Sequence, residues 1–395
     1  MPAQRYDVVV LGAGPAGCTA AIALRRRGVP AVLLVDAGDT RSPRLGESIP
    51  PDSRLLLERI GVWNAFIASN PEPCLGSCSG WGSDELGFND FLYNPHGPGW
   101  HLDRRRFDDL LLEGAAASGA VVVTKTAFAH AEQGVDGSTH LTLRGANTQS
   151  VRAGFVVDAT GRRALLARMM GARPRPRDRL SCAAAFVALP AESPLSRMTM
   201  LEAVEYGWWY VARLPGARAA VVLATDADIM RERGLSEPAA WSAHLTRTRH
   251  VCATLEGATL LPERLIVRSA SAFSLDRVTG HGWLAIGDAA AACDPISSAG
   301  IYRALATALH GAECIVAHAG GDQTAIARFQ STIDANVAQD ERQSRYFYEL
   351  EQRWPDAPFW RRRHAAARAD NPLVNEIPLS RGAVNVHPDT LARAG

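Results

Sequence analysis

The chain has 395 residues, with 42 Lys+Arg against 41 Asp+Glu and a formal charge of +1. That balance gives no field to gather nucleic acid or an anionic membrane surface, and the length predicts two or three domains' worth of core. No stretch nears the ~18 consecutive apolar residues of a membrane span, and MPAQRYDVVVLG carries no charged-then-apolar leader, so a cytoplasmic protein is expected.

In chain order, Tyr6 to Leu11 is an apolar, β-branched run that reads as a buried strand. GAGPAG follows, with Gly12, Gly14 and Gly17 in GxGxxG spacing around Pro15 and Ala16, and Cys18 to Arg27 then reads as a helix that Gly28 ends. A second apolar run, Ala31 to Val35, ends in Asp36, about 20 residues past the glycines. Here Gly12 permits a tight turn, Gly14 lets the backbone approach a pyrophosphate, and Gly17 lets helix and strand pack closely. The helix N-terminus would face phosphates and Asp36 would accept ribose hydroxyls. This unit takes NAD or FAD and does not by itself choose between them.

RLGESIPP (Arg44 to Pro51) comes next, then a Pro-rich bend, PEP, and CLGSCSGWG (Cys74 to Gly82), a stretch of small uncharged residues with two cysteines and Trp81. DRRRFD occupies Asp103 to Asp108. AVVVTKTAF holds the one lysine of the chain, Lys125, in a strand-like segment read as structural. FVVDATG (Phe155 to Gly161) is a strand ending in a small-residue turn. Cys182 to Leu189, Trp208 to Leu214 and Ala219 to Ala224 read as strands of an antiparallel sheet. WLAIGDAAAACDPISSAG (Trp283 to Gly300) reads as strand, Gly-Asp, alanines and a turn, before a helical pattern from Ile301 to Ala319. DERQSRYFYELEQRW continues helical and RWPDAPFWRRRH follows it, while PLSRGAVNVHPDTLARAG has little pattern. Seven cysteines, odd in number and irregularly spaced, suggest reduced thiols rather than a disulfide framework. Cys74 and Cys78 have no second Cys/His pair nearby, so no metal site is expected.

GAGPAG, RLGESIPP, DRRRFD and IGDAAAACDP together resemble the flavoprotein monooxygenase superfamily with the p-hydroxybenzoate hydroxylase fold, over nearly the whole chain. Within it the chain looks most like the branch of flavin-dependent halogenases and halogenase-like monooxygenases. GWWYVARLP resembles the halogenase Gly-Trp-x-Trp-x-Ile-Pro signature, with Trp208 and Trp209 adjacent and no Ile-Pro ending. The resemblance implies an α/β fold with a discontinuous, Rossmann-like FAD-binding domain at about 1–73, 101–180 and 266–330. Substrate-covering segments would lie at 74–100 and 181–265, and a helical to irregular region at 331–395. It further implies that Arg44, Arg104 and Asp288 contact FAD, that Glu47 sits beside the isoalloxazine, and that Pro295 to Gly300, with Ile301, lines the ring edge. Oriented amides there would stabilise the reduced flavin's negative charge.

The same resemblance separates two chemistries. Reduced FAD and O2 give a C4a-hydroperoxide, which a hydroxylase uses directly. A halogenase uses it to oxidise halide, and the hypohalous acid then travels to a lysine beside the substrate. CLGSCSGWG is the counterpart of that lysine's segment and contains none; where tryptophan halogenases carry a glutamate after Gly-Asp, this chain has Ser297. Oxygenation of an aromatic, indole-like substrate is therefore expected, with Glu47, Pro295, Ser297 and Ser298 as the catalytic set. Further candidate bases are Asp84, Glu85, Asp90, His96, His101, Glu202 and Glu205, each of which reads first as a solvated loop side chain. Trp81, Trp208, Trp209 and Tyr210 are candidate walls for the substrate, with core packing as the competing reading; Trp100 reads mainly as core. The lysine-lacking branch includes enzymes that oxygenate tryptophan, free or within a protein, including those that build tryptophan-derived quinone cofactors. Partners expected on this reading are such a substrate and, unless NAD(P)H reduces the flavin directly, a flavin reductase. Halogenation, an FAD-dependent reductase of isoprenoid double bonds and a flavin-binding protein without turnover are the alternatives.

Overall fold

The computed structural model describes residues 4–38, 45–261 and 264–369; Arg44 and the segment PLSRGAVNVHPDTLARAG lie outside the described residues. The expected mixed α/β architecture is realised as two eight-stranded sheets, each with its own hydrophobic core.

The first sheet is built on the strand Gln4–Leu11. Val32–Val35 and then Val121–Val123 flank it on one side, Thr148–Asp158 and then Trp283–Ala285 on the other, all parallel. Parallel strands are covered on both faces, which is why VVVL, VLLV and FVVD run apolar without alternation. The helix Pro15–Arg26 crosses between the first two strands and packs on the long helix Gly300–Ala319. Pro15 stands at its first position, where a missing N–H costs no hydrogen bond. The antiparallel strands Thr139–Arg144 and Ala127–Gln133 extend the sheet from the early part of Thr148–Asp158.

The second sheet runs Thr259–Leu260, Leu180–Ala188, Arg218–Asp226, Gly207–Leu214, Thr199–Val204, Gly76–Gly80, Leu86–Asp90. Its pairs are antiparallel except one: Gly76–Gly80 lies parallel to Thr199–Val204. Those two strands come from distant parts of the chain, so no hairpin constrains their direction. CLGSCSGWG is thus a strand near the sheet edge, and its first glycine is required: Gly76 has φ +149°, and a Cβ there would come 2.2 Å from the Asn89 carbonyl oxygen. The strand Ile266–Ser269, grouped above with the flavin-binding segments, instead pairs with Ser181–Ala184 of this sheet, where Ile266 enters the second core. The helix Ala325–Leu350 starts in the first core with Ala325, Phe329 and Ile333, and its end, with the helix Pro358–Ala369, brings Phe347, Tyr348, Phe359 and Trp360 into the second. Among the described residues no helix is long and apolar enough to cross a membrane.

Candidate active site

A cavity of about 620 Å³ is lined from both halves of the molecule. The glycine loop forms one wall. Gly12 has φ +102°, and a Cβ there would lie 2.3 Å from the Ala159 carbonyl oxygen; one on Gly17 would lie 1.8 Å from the Gly12 carbonyl oxygen. Gly14 differs: no heavy atom lies within 4 Å of a Cβ placed there, and with Pro15 and Ala16 it borders the cavity. Two glycines are therefore demanded by the fold itself, while the third leaves free space for a ligand. Asp36, at the end of its strand, accepts the Ala13 N–H at 2.6 Å and the Gly38 N–H at 2.5 Å, which holds its carboxylate against the same loop.

Charged side chains converge on the rest of this cavity. Arg104 begins the helix Arg104–Ala117, donates to the Leu45 and Gly46 carbonyls at 2.5 and 3.0 Å, and pairs with Asp108. Burial pushes the Asp288 carboxyl above the ordinary carboxylate range, with Arg162 and Arg104 pulling it back. Glu47 is buried, and loss of water raises its carboxyl to about 7 against the opposing charge of Arg104. Its Oε1 and the Nε of Arg104 have no hydrogen-bond partner among the described residues. Gly300 and Ile301, which open the helix Gly300–Ala319, also border the cavity and aim the positive end of its dipole inward. These residues fit FAD: open space beside the Gly14 backbone, a helix N-terminus, and polar atoms without partners among the described residues that a polar ligand would satisfy.

A second cavity, of about 480 Å³, lies beyond the turn Pro295–Ser297. Ser48 and Ser298 line both cavities, so the turn and Ser48 form the partition between them. Asp294 caps the turn by accepting the Ile296 N–H at 2.9 Å, and Ser298 leaves it in the left-handed region at φ +49°. Ser77, Ser79 and Trp81 form one wall of the second cavity; Tyr302 and Arg303 form another. Trp81 is held by donating from Nε1 to the Phe347 carbonyl at 2.7 Å and by packing edge-on to Trp360.

The expected site residues divide accordingly. Glu47, Arg104, Asp288, Pro295, Gly300 and Ile301 border the first cavity, Ser297 the second, and Ser298 both. Of the four aromatic candidates for a substrate wall, Trp81 alone borders the second cavity. Trp208 and Tyr210 border the first, on one face of their strand. Trp209 points the other way, is 0 % exposed, and packs edge-on against Trp241 at 5.1 Å, a core role dictated by the two-residue period of a strand. Trp100 packs with Trp63 and Phe66.

The candidate bases mostly have structural partners. Glu202 accepts three backbone N–H groups, those of Arg249, His250 and Val251. Glu205 faces Arg233 at 3.7 Å, His96 faces Asp52 at 3.6 Å, and Asp84 pairs with Arg353. Glu85 is exposed. His101 is buried, meets Thr199 Oγ1 at 3.0 Å, and is held neutral by burial, its pKa lowered to about 4. Asp90 does border the second cavity, with its carboxylate engaged by the Leu92 N–H.

Sequence reading missed Arg162 and Cys182 in the first cavity and Arg303, Asn336, Gln339 and Gln343 in the second. The last three were detectable: with Phe347 they recur on one face of the helix Ala325–Leu350. Arg162 directly follows the small turn of FVVDATG, but nothing local marks which of Arg162 and Arg163 turns inward.

The sequence model of the tryptophan halogenase family matches residues 90–390, and an FAD binding domain matches residues 7–44. A Marinomonas mediterranea protein named FAD-dependent oxidoreductase LodB is 30% identical over 381 residues, covering 92% of this chain and 98% of that protein. Tryptophan 2-halogenase of Chondromyces crocatus is 25% identical over 333 residues, covering 80% of this chain and 62% of that enzyme. The halogenase CmlS superposes with a TM-score of 0.82 at 24% identity, covering 93% of this chain and 70% of that one, a likeness of fold. The peptidyl tryptophan dihydroxylase QhpG superposes with a TM-score of 0.67 at 26% identity, covering 91% and 79%. A glycine loop built to admit a dinucleotide, a charged cavity that fits FAD, and matches along almost the full length lead to one conclusion: this chain is an FAD-dependent oxidoreductase of the tryptophan halogenase family.

Proposed function

We propose that this enzyme is a monooxygenase that oxygenates the indole of a tryptophan carried in a peptide or protein. On this reading it uses O2 and electrons from NAD(P)H, taken directly or through a partner flavin reductase. Bound, reduced FAD supplies the activation of oxygen. The chain's own residues hold and screen the reaction. Gly14 and the N-terminus of the helix Gly300–Ala319 bind phosphate and ring edge, Arg104 and Asp288 orient the cofactor, and Glu47 gives or takes a proton near the partition. Trp81 stacks on the indole in the second cavity.

The observation that carries this reading is the position of Lys125. Halide chemistry in the family works through a lysine beside the substrate. The single lysine of this chain follows the edge strand Val121–Val123 of the first sheet, next to Gly38, and lines neither cavity. In the second cavity the counterpart wall offers Ser77, Ser79 and Trp81. The lining also favours a peptide over the free amino acid. Among the described residues its one basic side chain, Arg303, already pairs with Asp340 and so offers a free carboxylate no unpaired cation, whereas Asn89, Asn336 and Gln343 suit backbone amides. The name of the structural neighbour QhpG, a peptidyl tryptophan dihydroxylase, supports the same substrate class.

The test is to incubate the protein with FAD, a flavin-reducing system, air and a tryptophan-containing peptide, with and without bromide, and to read the peptide by mass spectrometry. Gain of oxygen regardless of bromide is expected. Replacement of hydrogen by bromine would overturn the reading in favour of halogenation, and reaction of free tryptophan alone would remove the peptide.

A further inference from the structure

The last turn of the helix Ala325–Leu350 touches both sides of the partition. Tyr348 is buried, and its hydroxyl donates to Asp294 Oδ2 at 2.8 Å while accepting from Trp208 Nε1 at 3.3 Å. The other oxygen of Asp294 caps the turn Pro295–Ser297, and its backbone carbonyl accepts the Ser297 hydroxyl at 3.0 Å. Trp208 borders the first cavity. One residue earlier, the Phe347 carbonyl accepts Trp81 Nε1, and Phe347 itself lines the second cavity. Three residues later, the buried carboxylate of Glu351 accepts the Gly82 N–H at 2.8 Å and binds the Arg353 guanidinium, which also reaches Asp84 and the Gly80 carbonyl. Gly82 leaves no slack, since a Cβ there would meet the Leu350 carbonyl oxygen at 2.6 Å.

We infer that Tyr348 and Asp294 are a positioning pair that fixes the partition against the flavin edge, while Glu351 fixes the Trp81 wall from the same helix end. The inference rests on the reading above of one cavity for FAD and the next for the aromatic substrate. A core tyrosine needs only packing, and Tyr348 has that from Phe359, Trp360 and the guanidinium of Arg363 above its ring. Its hydroxyl instead ties this helix to two other elements, the strand of Trp208 and the turn that Asp294 caps. A buried hydroxyl bonded to a carboxylate constrains direction as well as distance, and reacting groups misplaced by about 1 Å lose about a hundredfold in rate.

The two ends of the device predict opposite kinetic signatures. Tyr348→Phe keeps the ring and should retain FAD, shift the bound flavin's absorbance spectrum and midpoint potential, and lower kcat about tenfold or more with little change in KM for the peptide. More of the oxygen consumed should then leave as hydrogen peroxide. Glu351→Gln should raise KM with a smaller effect on kcat. Asp294→Ala should resemble Tyr348→Phe, and the double variant should be no worse than Asp294→Ala alone, because both delete one bridge. Thermal unfolding is read alongside. If Tyr348→Phe changes melting only, and leaves the flavin spectrum, potential and peroxide yield as in the wild type, the pair is structural and the inference fails. Additive effects in the double variant would overturn it as well. Should the wild type not oxygenate the peptide, the proposed reaction falls, while the flavin spectrum and potential of the variants still judge the pair.

Discussion

At the scale of single residues, the glycine loop separates what folding needs from what a ligand needs. A Cβ on Gly17 would sit 1.8 Å from a backbone oxygen, so Gly17→Ala must displace helix or strand. It should cost about 1–3 kcal/mol or more of stability, measured by denaturant unfolding. A Cβ on Gly14 meets nothing. Gly14→Ala should therefore unfold at the wild-type temperature yet bind FAD about tenfold more weakly or worse, as read by flavin fluorescence quenching. Glu47 makes a pH prediction. Its folded carboxyl titrates at about 7 against an ordinary value of 4.5, so the fold holds a proton that the unfolded chain releases. Stability from this residue is full below pH 4.5, declines as pH rises, and is lost above about 7. The difference is about 3 kcal/mol. Glu47→Gln should remove that decline, so the gain in stability of the variant over wild type should be larger at pH 8 than at pH 4.5.

At the scale of elements, the strand Gly76–Gly80 explains why CLGSCSGWG carries so little side chain. Gly76 and Gly80 lie tightly against neighbouring backbone and side chains, and Cys74 and Cys78 are buried with thiols that burial raises, to about 11 for Cys78. Neither cysteine is poised as a nucleophile. The intervening serines face the second cavity, as alternation in a strand requires. Ser77→Lys should consequently place an ammonium in that cavity and raise the peptide's KM about tenfold, leaving FAD binding unchanged. Unaltered KM and coupling would remove this wall from the substrate site. The same two-residue period limits what the neighbouring Trp-Trp pair can do: only one of Trp208 and Trp209 can face a cavity. Nothing in GWWYVARLP says which one, because that depends on which face of the sheet is covered by other parts of the chain.

At the scale of the molecule, the C-terminal helices close the second core over the site. Trp360 is fully buried, donates to the Val204 carbonyl at 2.9 Å and meets Trp81 edge-on. Trp360→Ala should cost about 3–5 kcal/mol and also weaken peptide binding through the loosened Trp81, as measured by unfolding and by KM. Trp354→Ala, at a partly buried position, should cost much less. The arginines of RWPDAPFWRRRH have carboxylate partners in the fold: Arg353 binds Glu351, Arg362 binds Asp226 and Asp228, and Arg363 binds Asp226.

What the sequence determined by itself was whatever short-range sterics dictate. Gly12 at a tight turn and Gly17 at a close helix–strand contact, the apolar runs around them as buried strands, and a dinucleotide at GAGPAG were all legible there. The absence of lysine from CLGSCSGWG was equally legible. Only the tertiary structure decided that this stretch joins the second sheet in parallel, that Ile266–Ser269 pairs with Ser181–Ala184 of that sheet, that Trp209 is core, and that Tyr348 meets Asp294 across 54 residues. Those facts depend on which surfaces remain to be buried once the local elements have formed, and long-range burial leaves no mark in the spacing of neighbouring residues.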